Sequence, residues 1–224
     1  MTEPEIDRNF IREEFERERG YWRPWNDILL RERPSFLQKY ARYAGHPSST
    51  GPLSARMVEL IYVGLDASSS HLFESGLTIH MKKALEAGAS RQAIFDVLQL
   101  VTTQGMECTL QGIGILAEET GEPRGSDDAW AWLAQHDPGY AEVARLLLED
   151  RATTQGLTDD ERCLVQIALH ACFTAFNPMA LRQAIRQGLN TGLTREQMLQ
   201  AIQLGSHLSV HGTALGARVF ETLN

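Results

Sequence analysis

Laid on itself with a shift of 104 residues, the chain matches without a gap from Pro34 to its carboxyl end. Pro34 falls on Pro138, Leu53-Ser54 on Leu157-Thr158, Gly88 on Gly192, Arg91 on Arg195, Thr109 on Thr213 and Gly112 on Gly216. Core-type positions follow the same register: Leu60, Val63 and Leu65 fall on Leu164, Ile167 and Leu169, and Leu77 and Leu85 on Leu181 and Leu189. Few residues are identical, but capping residues, turn glycines and apolar positions coincide. Packing preserves those features, so the pattern reads as an internal duplication. The expected organisation is an amino-terminal extension plus a first copy over 1–120, then a linker plus a second, degenerate copy over 121–224.

Within each copy the apolar spacing is helical. Ile6, Phe10, Ile11 and Phe15 line one stripe of a helix over residues 5–19, which Gly20 ends. A second helix starts near Trp25-Asn26, and Pro34 opens a third. The run from Gly45 to Pro52 is a loop by composition. Ser54 caps an apolar helix from Met57 to about Leu65. The next helix carries His80 and stops at Gly88; Ser90 then caps a helix that runs to about Gln104, where Gly105 interrupts it, and a further helix reaches Gly121. Residues 120–128 form the clearest linker. No stretch alternates over a strand length, so the fold class is all-α, two multi-helix units packed as an internal pseudo-dimer.

The formal net charge of −8 argues against a nucleic-acid or anionic-membrane partner, both of which attract basic faces. No apolar run approaches the ~20 residues needed to span a bilayer. The acidic start, Met1-Thr2-Glu3-Pro4-Glu5, is unlike a leader peptide. Cys108, Cys163 and Cys172 form neither a disulfide framework nor a C-x-x-C pair, which places the chain in a reducing cytoplasm. Cys108 reads as a small packing residue. Trp22, Trp25, Trp130 and Trp132 read as packing between lead-in helices.

Two local signals carry chemistry. His80 sits on or beside an apolar helix face, where an imidazole is either reactive or a core group bonded to a carbonyl. Glu59 lies in an otherwise apolar helix, and a carboxylate seldom sits there without a partner or solvent. In the second copy His80 becomes Ala184 and Glu59 becomes Cys163. The fold therefore does not require the imidazole, and a site built on this pair exists once. His207 and His211 stand four apart on one helix face, the spacing of a metal site, but a third ligand is not evident nearby. Glu107 corresponds to His211, so a pseudo-two-fold would bring these two together.

Leu53-Ser-Ala-Arg-Met-Val-Glu59-Leu60-Ile61, followed by His80-x-x-x-Ala84-Leu85-x-x-Gly88-Ala89-Ser90, resembles the carboxymuconolactone decarboxylase family, within the wider alkylhydroperoxidase-like group. The resemblance covers the first copy well and the second as a degenerate copy. The redox branch of that group has C-x-x-C four and seven residues before the His, where this chain has Gly76 and Phe73. Lacking a thiolate there, the site is not expected to reduce peroxides or disulfides. The family's Arg before the Glu is Val58, and the Glu of its Thr-x-x-Glu-Ile pattern is Ala93.

The resemblance implies a decarboxylase-like lyase that needs no metal or organic cofactor, acting on a small carboxylated lactone or related aromatic-degradation acid. Its catalytic residues would be His80 as proton donor and Glu59 holding the imidazole in one tautomer. Phe73, Met106, Glu107, His207 and His211 would line the substrate pocket. It also implies a homotrimer of two-copy chains, as rings of single-copy subunits are common in the family. Two other readings stay open: a helical binding or oligomerisation module with a decayed site, and a metal-dependent enzyme using His207 and His211.

Overall fold

The computed structural model describes residues 7–121, 129–150 and 155–223. Twelve α-helices and one 3-10 turn make up the described residues, and no strand occurs among them. The helices are α1 (Arg8–Arg19), α2 (Pro24–Glu32), α3 (Pro34–Ser49), α4 (Ala55–Ala67), α5 (Glu74–Glu86), α6 (Arg91–Glu119), α7 (Ala129–His136), α8 (Pro138–Glu149), α9 (Asp159–Ala171), α10 (Pro178–Thr191), α11 (Arg195–Leu204) and α12 (Val210–Glu221), with the 3-10 turn Ser206–Ser209 before α12. The all-α expectation holds. Most of the 120–128 linker lies outside the described residues, as does the acidic start. No described helix is long and apolar enough to cross a membrane.

The start signals act as expected. Ser54 and Ser90 each accept the backbone N–H three residues on, from Met57 at 3.2 Å and Ala93 at 2.9 Å. Gly88 and its counterpart Gly192 take left-handed φ values of 89° and 92°, which an L side chain would strain.

Two expected breaks are absent. Residues 45–49 belong to α3 and not to a loop, with Pro47 inside the helix. Pro47 is buried in the last turn, where its carbonyl accepts from Gln200 Nε2 at 2.7 Å, and the Ser48, Ser49 and Thr50 hydroxyls donate back to the Gly45 and His46 carbonyls. Gly105 does not interrupt α6, which runs unbroken for 29 residues. A lone glycine costs a helix only ~1 kcal/mol relative to alanine, too little to break one anchored by packing on both sides. The break occurs instead in the second half, where Gly205 and the 3-10 turn separate α11 from α12.

The main core lies between α4, α6, α9 and α11, with Leu60, Val63, Leu65, Val97, Val165, Ile167, Leu169 and Leu204 buried together. At Gly64 an added Cβ would lie 3.2 Å from Val97 and 3.4 Å from Val165, so the missing side chain sets how closely α4 meets α6 and α9. A second core joins α1–α3 to α12. There Phe15 makes edge contacts with Tyr21, Trp22 and Trp25 and packs with Val210. Trp25 and Trp22 thus pack the lead-in helices, whereas Trp130 and Trp132 lie on α7.

Hydrogen bonds recur at the 104-residue offset. Phe73 N–H donates to Asp66 O at 2.9 Å, and Asn177 N–H to His170 O at 3.0 Å. Ala89 N–H donates to Ala84 O at 2.8 Å, and Leu193 N–H to Gly188 O at 2.9 Å. Leu157 N–H donates to Asp96 Oδ2 at 2.9 Å, and Leu53 N–H to Gln200 Oε1 at 2.8 Å. Asp96 also holds a buried ion pair with Arg162 at 2.7 Å, for which Gln200 has no charged equivalent.

Candidate functional site

The site begins on one face of α4. Glu59, Tyr62 and Asp66 are spaced i, i+3 and i+7, which brings all three to the side that meets α5. His80 projects from α5 into that face. Its Nδ1–H donates to Glu59 Oε2 at 2.6 Å, and its ring lies 4.6 Å from that of Tyr62. The other ring nitrogen, Nε2, is 3.9 Å from Asp66 Oδ2. The first-ranked sequence candidates, His80 and Glu59, therefore meet as a short, partly buried pair.

The second half of the chain closes the site. His211, on α12, places Nδ1 2.9 Å from His71 Nε2, and the ring of Phe73 stacks on it at 3.8 Å. His71 Nε2 in turn lies 3.8 Å from Asp66 Oδ1. His207 is buried in the 3-10 turn, donates from Nδ1 to Leu204 O at 3.0 Å, and meets Tyr62 edge-on at 5.2 Å. Its ring is 6.4 Å from that of His211. His207 and His211 are thus separate in role: one is a satisfied core histidine, and the other is paired with His71.

Burial governs the charges. It pushes the Asp66 carboxyl up to about 7, with Glu59 adding to the rise, and the two imidazole contacts are too long to offset it. The Tyr62 phenol goes up to about 12, chiefly through burial and against the Arg19 cation. Burial, reinforced by His71, His80, Arg19 and Arg23, brings His211 down to about 4. His71 is lowered by burial alone. Burial first, then Arg19 and His211, hold His207 well below its ordinary 6.5.

The His207 shift has a measurable consequence. A histidine with a depressed folded value leaves the unfolded chain binding more protons below pH 6.5, so stability present above that pH is lost on acidification. The drop in urea midpoint between about pH 7.5 and about pH 5 is expected to shrink in His207→Asn relative to the parent. An equal drop in both proteins would mean that His207 is not held neutral.

Met106 and Glu107 do not wall this site. Both line a different cavity, of about 240 Å³, lined from both halves of the chain, together with Arg162, Gln166, His170 and Ala184. Glu107 Oε2 approaches His170 Nε2 within 3.0 Å, and His170 is only 2% exposed. The expected meeting of Glu107 with His211 does not occur, because each belongs to a different cluster. At the 104-residue offset His170 corresponds to Asp66 and Glu107 to His211. Each cluster holds a carboxyl and an imidazole at these two positions with the residue types exchanged; Glu107 and His170 are in contact, whereas the Asp66 and His211 donors lie within 4.8 Å. Cys108 is exposed and not a packing residue.

Sequence reasoning missed Asp66, His71, Tyr62 and His170. The i, i+3, i+7 spacing of Glu59, Tyr62 and Asp66 was the available signal for the α4 face. His71 lies in a short connection where no periodicity applies. The positions of the family's redox cysteines are put to another use: a Cβ on Gly76 would fall 2.2 Å from Asp66 Oδ2, so the glycine makes room for that carboxyl, and Phe73 covers His211.

Comparison with known proteins agrees with this architecture. Residues 34–107 match the model of the carboxymuconolactone decarboxylase family. A solved structure from Burkholderia xenovorans, provisionally assigned as a gamma-carboxymuconolactone decarboxylase subunit, superposes with a TM-score of 0.84 at 25% identity, covering 98% of each chain. No curated protein sequence matches the chain. Residues 34–107 carry the sequence pattern of the carboxymuconolactone decarboxylase family, and the chain shares its fold with that solved structure along the whole length.

Proposed function

We propose that the protein is a decarboxylase-like lyase acting on a small carboxylated lactone or related aromatic-degradation acid. The observation that carries this reading is the 2.6 Å His80–Glu59 pair against the Tyr62 ring. Loss of carbon dioxide from such an acid leaves an electron pair that the adjacent unsaturated system holds until carbon is protonated. A histidine titrates near neutrality and is suited to that proton transfer. Glu59 accepts from Nδ1, which fixes the ring plane and leaves Nε2 facing the Asp66 side. The proton reaches carbon from Nε2, and the ring recovers one from solvent. The test is carbon dioxide release from a panel of carboxylated lactones; release from none of them rejects the reading.

The cavity beside His170 favours a second reading, in which the chain binds a small polar ligand without turning it over. The cavity, of about 240 Å³, sets His170, Gln166, Gln183 and Gln187 among apolar groups such as Leu100 and Ala184, the mix of polar and apolar lining that a small polar ligand needs. Recurrence of hydrogen bonds across the two halves supports reading them as copies of one unit. A trimer of such chains has apolar surface available on α6 and α12, where Ile115, Leu116, Leu215, Val219 and Phe220 are exposed. Light scattering is expected to give three times the chain mass; a monomer contradicts it. In a reducing cytoplasm the three thiols stay free.

A further inference from the structure

We propose that Asp66, His71 and His211 form a binding site for one divalent first-row transition-metal ion. Their donor atoms lie within 4.8 Å of one another. His71 Nε2 is 2.9 Å from His211 Nδ1 and 3.8 Å from Asp66 Oδ1. An ion bonded at ~2.0–2.2 Å to nitrogen and oxygen holds its donors about 3 Å apart, a spacing that these separations bracket. Small side-chain movements bring the three onto one ion.

The donor set defines the ion's class. Two imidazoles and one carboxylate suit zinc, iron(II) or cobalt(II), and not calcium or magnesium, which take oxygen donors. Three protein ligands leave at least one position open. The surroundings hold the donors in place: Asp66 ends α4, His211 lies in the first turn of α12, Phe73 fixes the His211 ring plane, and Gly76 leaves space that a side chain would take from Asp66. The related His170/Glu107 cluster has no such triad among the described residues, because the counterpart of His71 is Ala175. The i, i+4 pair His207/His211 is replaced as a candidate by a set drawn from both halves of the chain.

An ion there would supply the positive charge that Val58 does not, and so hold a substrate carboxylate beside His80. That role rests on the decarboxylase reading; the metal binding does not. The experiment is therefore a binding measurement. Tag-free protein is stripped with chelator and titrated with cobalt(II), read by its visible ligand-field bands. One equivalent is expected to bind, with affinity falling at least tenfold in His71→Ala and in His211→Ala and unchanged in His207→Asn and His80→Gln. Asp66→Asn, with a helical circular dichroism spectrum matching the parent, gives the same loss without removing side-chain volume. Substoichiometric binding, or binding unchanged in the His71→Ala/His211→Ala double variant, overturns the site and leaves a simple imidazole–imidazole hydrogen bond. Absence of turnover on lactone acids leaves this result untouched.

Discussion

His80→Ala is expected to lower carbon dioxide release by about 10²–10⁴-fold, the usual contribution of a positioned general acid, with the helical circular dichroism unchanged. The side chain is partly buried and its place in the other half is filled by Ala184, so the helix tolerates alanine there. Glu59→Gln keeps an acceptor for Nδ1 but loses the charge, and is expected to retain more activity than His80→Ala. The comparison that locates the chemistry is His170→Ala, which removes the imidazole from the cavity side. Turnover that survives at His170→Ala and fails at His80→Ala assigns the reaction to the α4–α5 face. The reverse result moves it to the cavity.

Asp96→Ala is expected to cost about 3–5 kcal/mol, because it leaves the buried Arg162 guanidinium without its counter-charge. For a chain of this length that lowers the melting temperature by roughly 10 °C. Asp96 Oδ2 also accepts Leu157 N–H, but the equivalent bond from Leu53 is accepted by the neutral amide of Gln200. Holding that N–H therefore does not require a charge, and the carboxylate is there for Arg162. Removing both charges in Asp96→Leu/Arg162→Met is expected to cost much less than Asp96→Ala alone. Urea midpoints measure both, and a cost below about 1 kcal/mol for the single variant would show that Arg162 is solvated and not buried as a pair.

Much of the fold was legible because its signals are local. Ser54, Ser90, Gly20, Gly88 and Gly192 act on backbone groups within a few residues, and the sequence displays such spacing directly. Pro47 and Gly105 misled for the converse reason. Both are unfavourable within a helix, by about 3 kcal/mol for a proline and about 1 kcal/mol for a glycine, but burial of Pro47 in the last turn of α3 and packing along α6 outweigh the cost. At the site, His80 and Glu59 were visible through their contrast with apolar neighbours. The His71–His211 contact was not, since 140 residues separate the two and only the packing of α12 onto the first half brings them together. The exchange of Asp66 for His170 and His211 for Glu107 was likewise hidden, because each single position looks unrelated to its counterpart.

The placement of His211 bears on how the protein behaves when diluted. Asp66, His71, Glu59 and His80 come from the first half, and His211 from the second. Were the halves separate molecules, assembly of this site would follow mass action and fail below their dissociation constant. Joined in one chain, the second half cannot diffuse away from the first, so their meeting does not depend on protein concentration. The site is thus first-order in protein: it persists at nanomolar concentration, whether or not chains associate with one another.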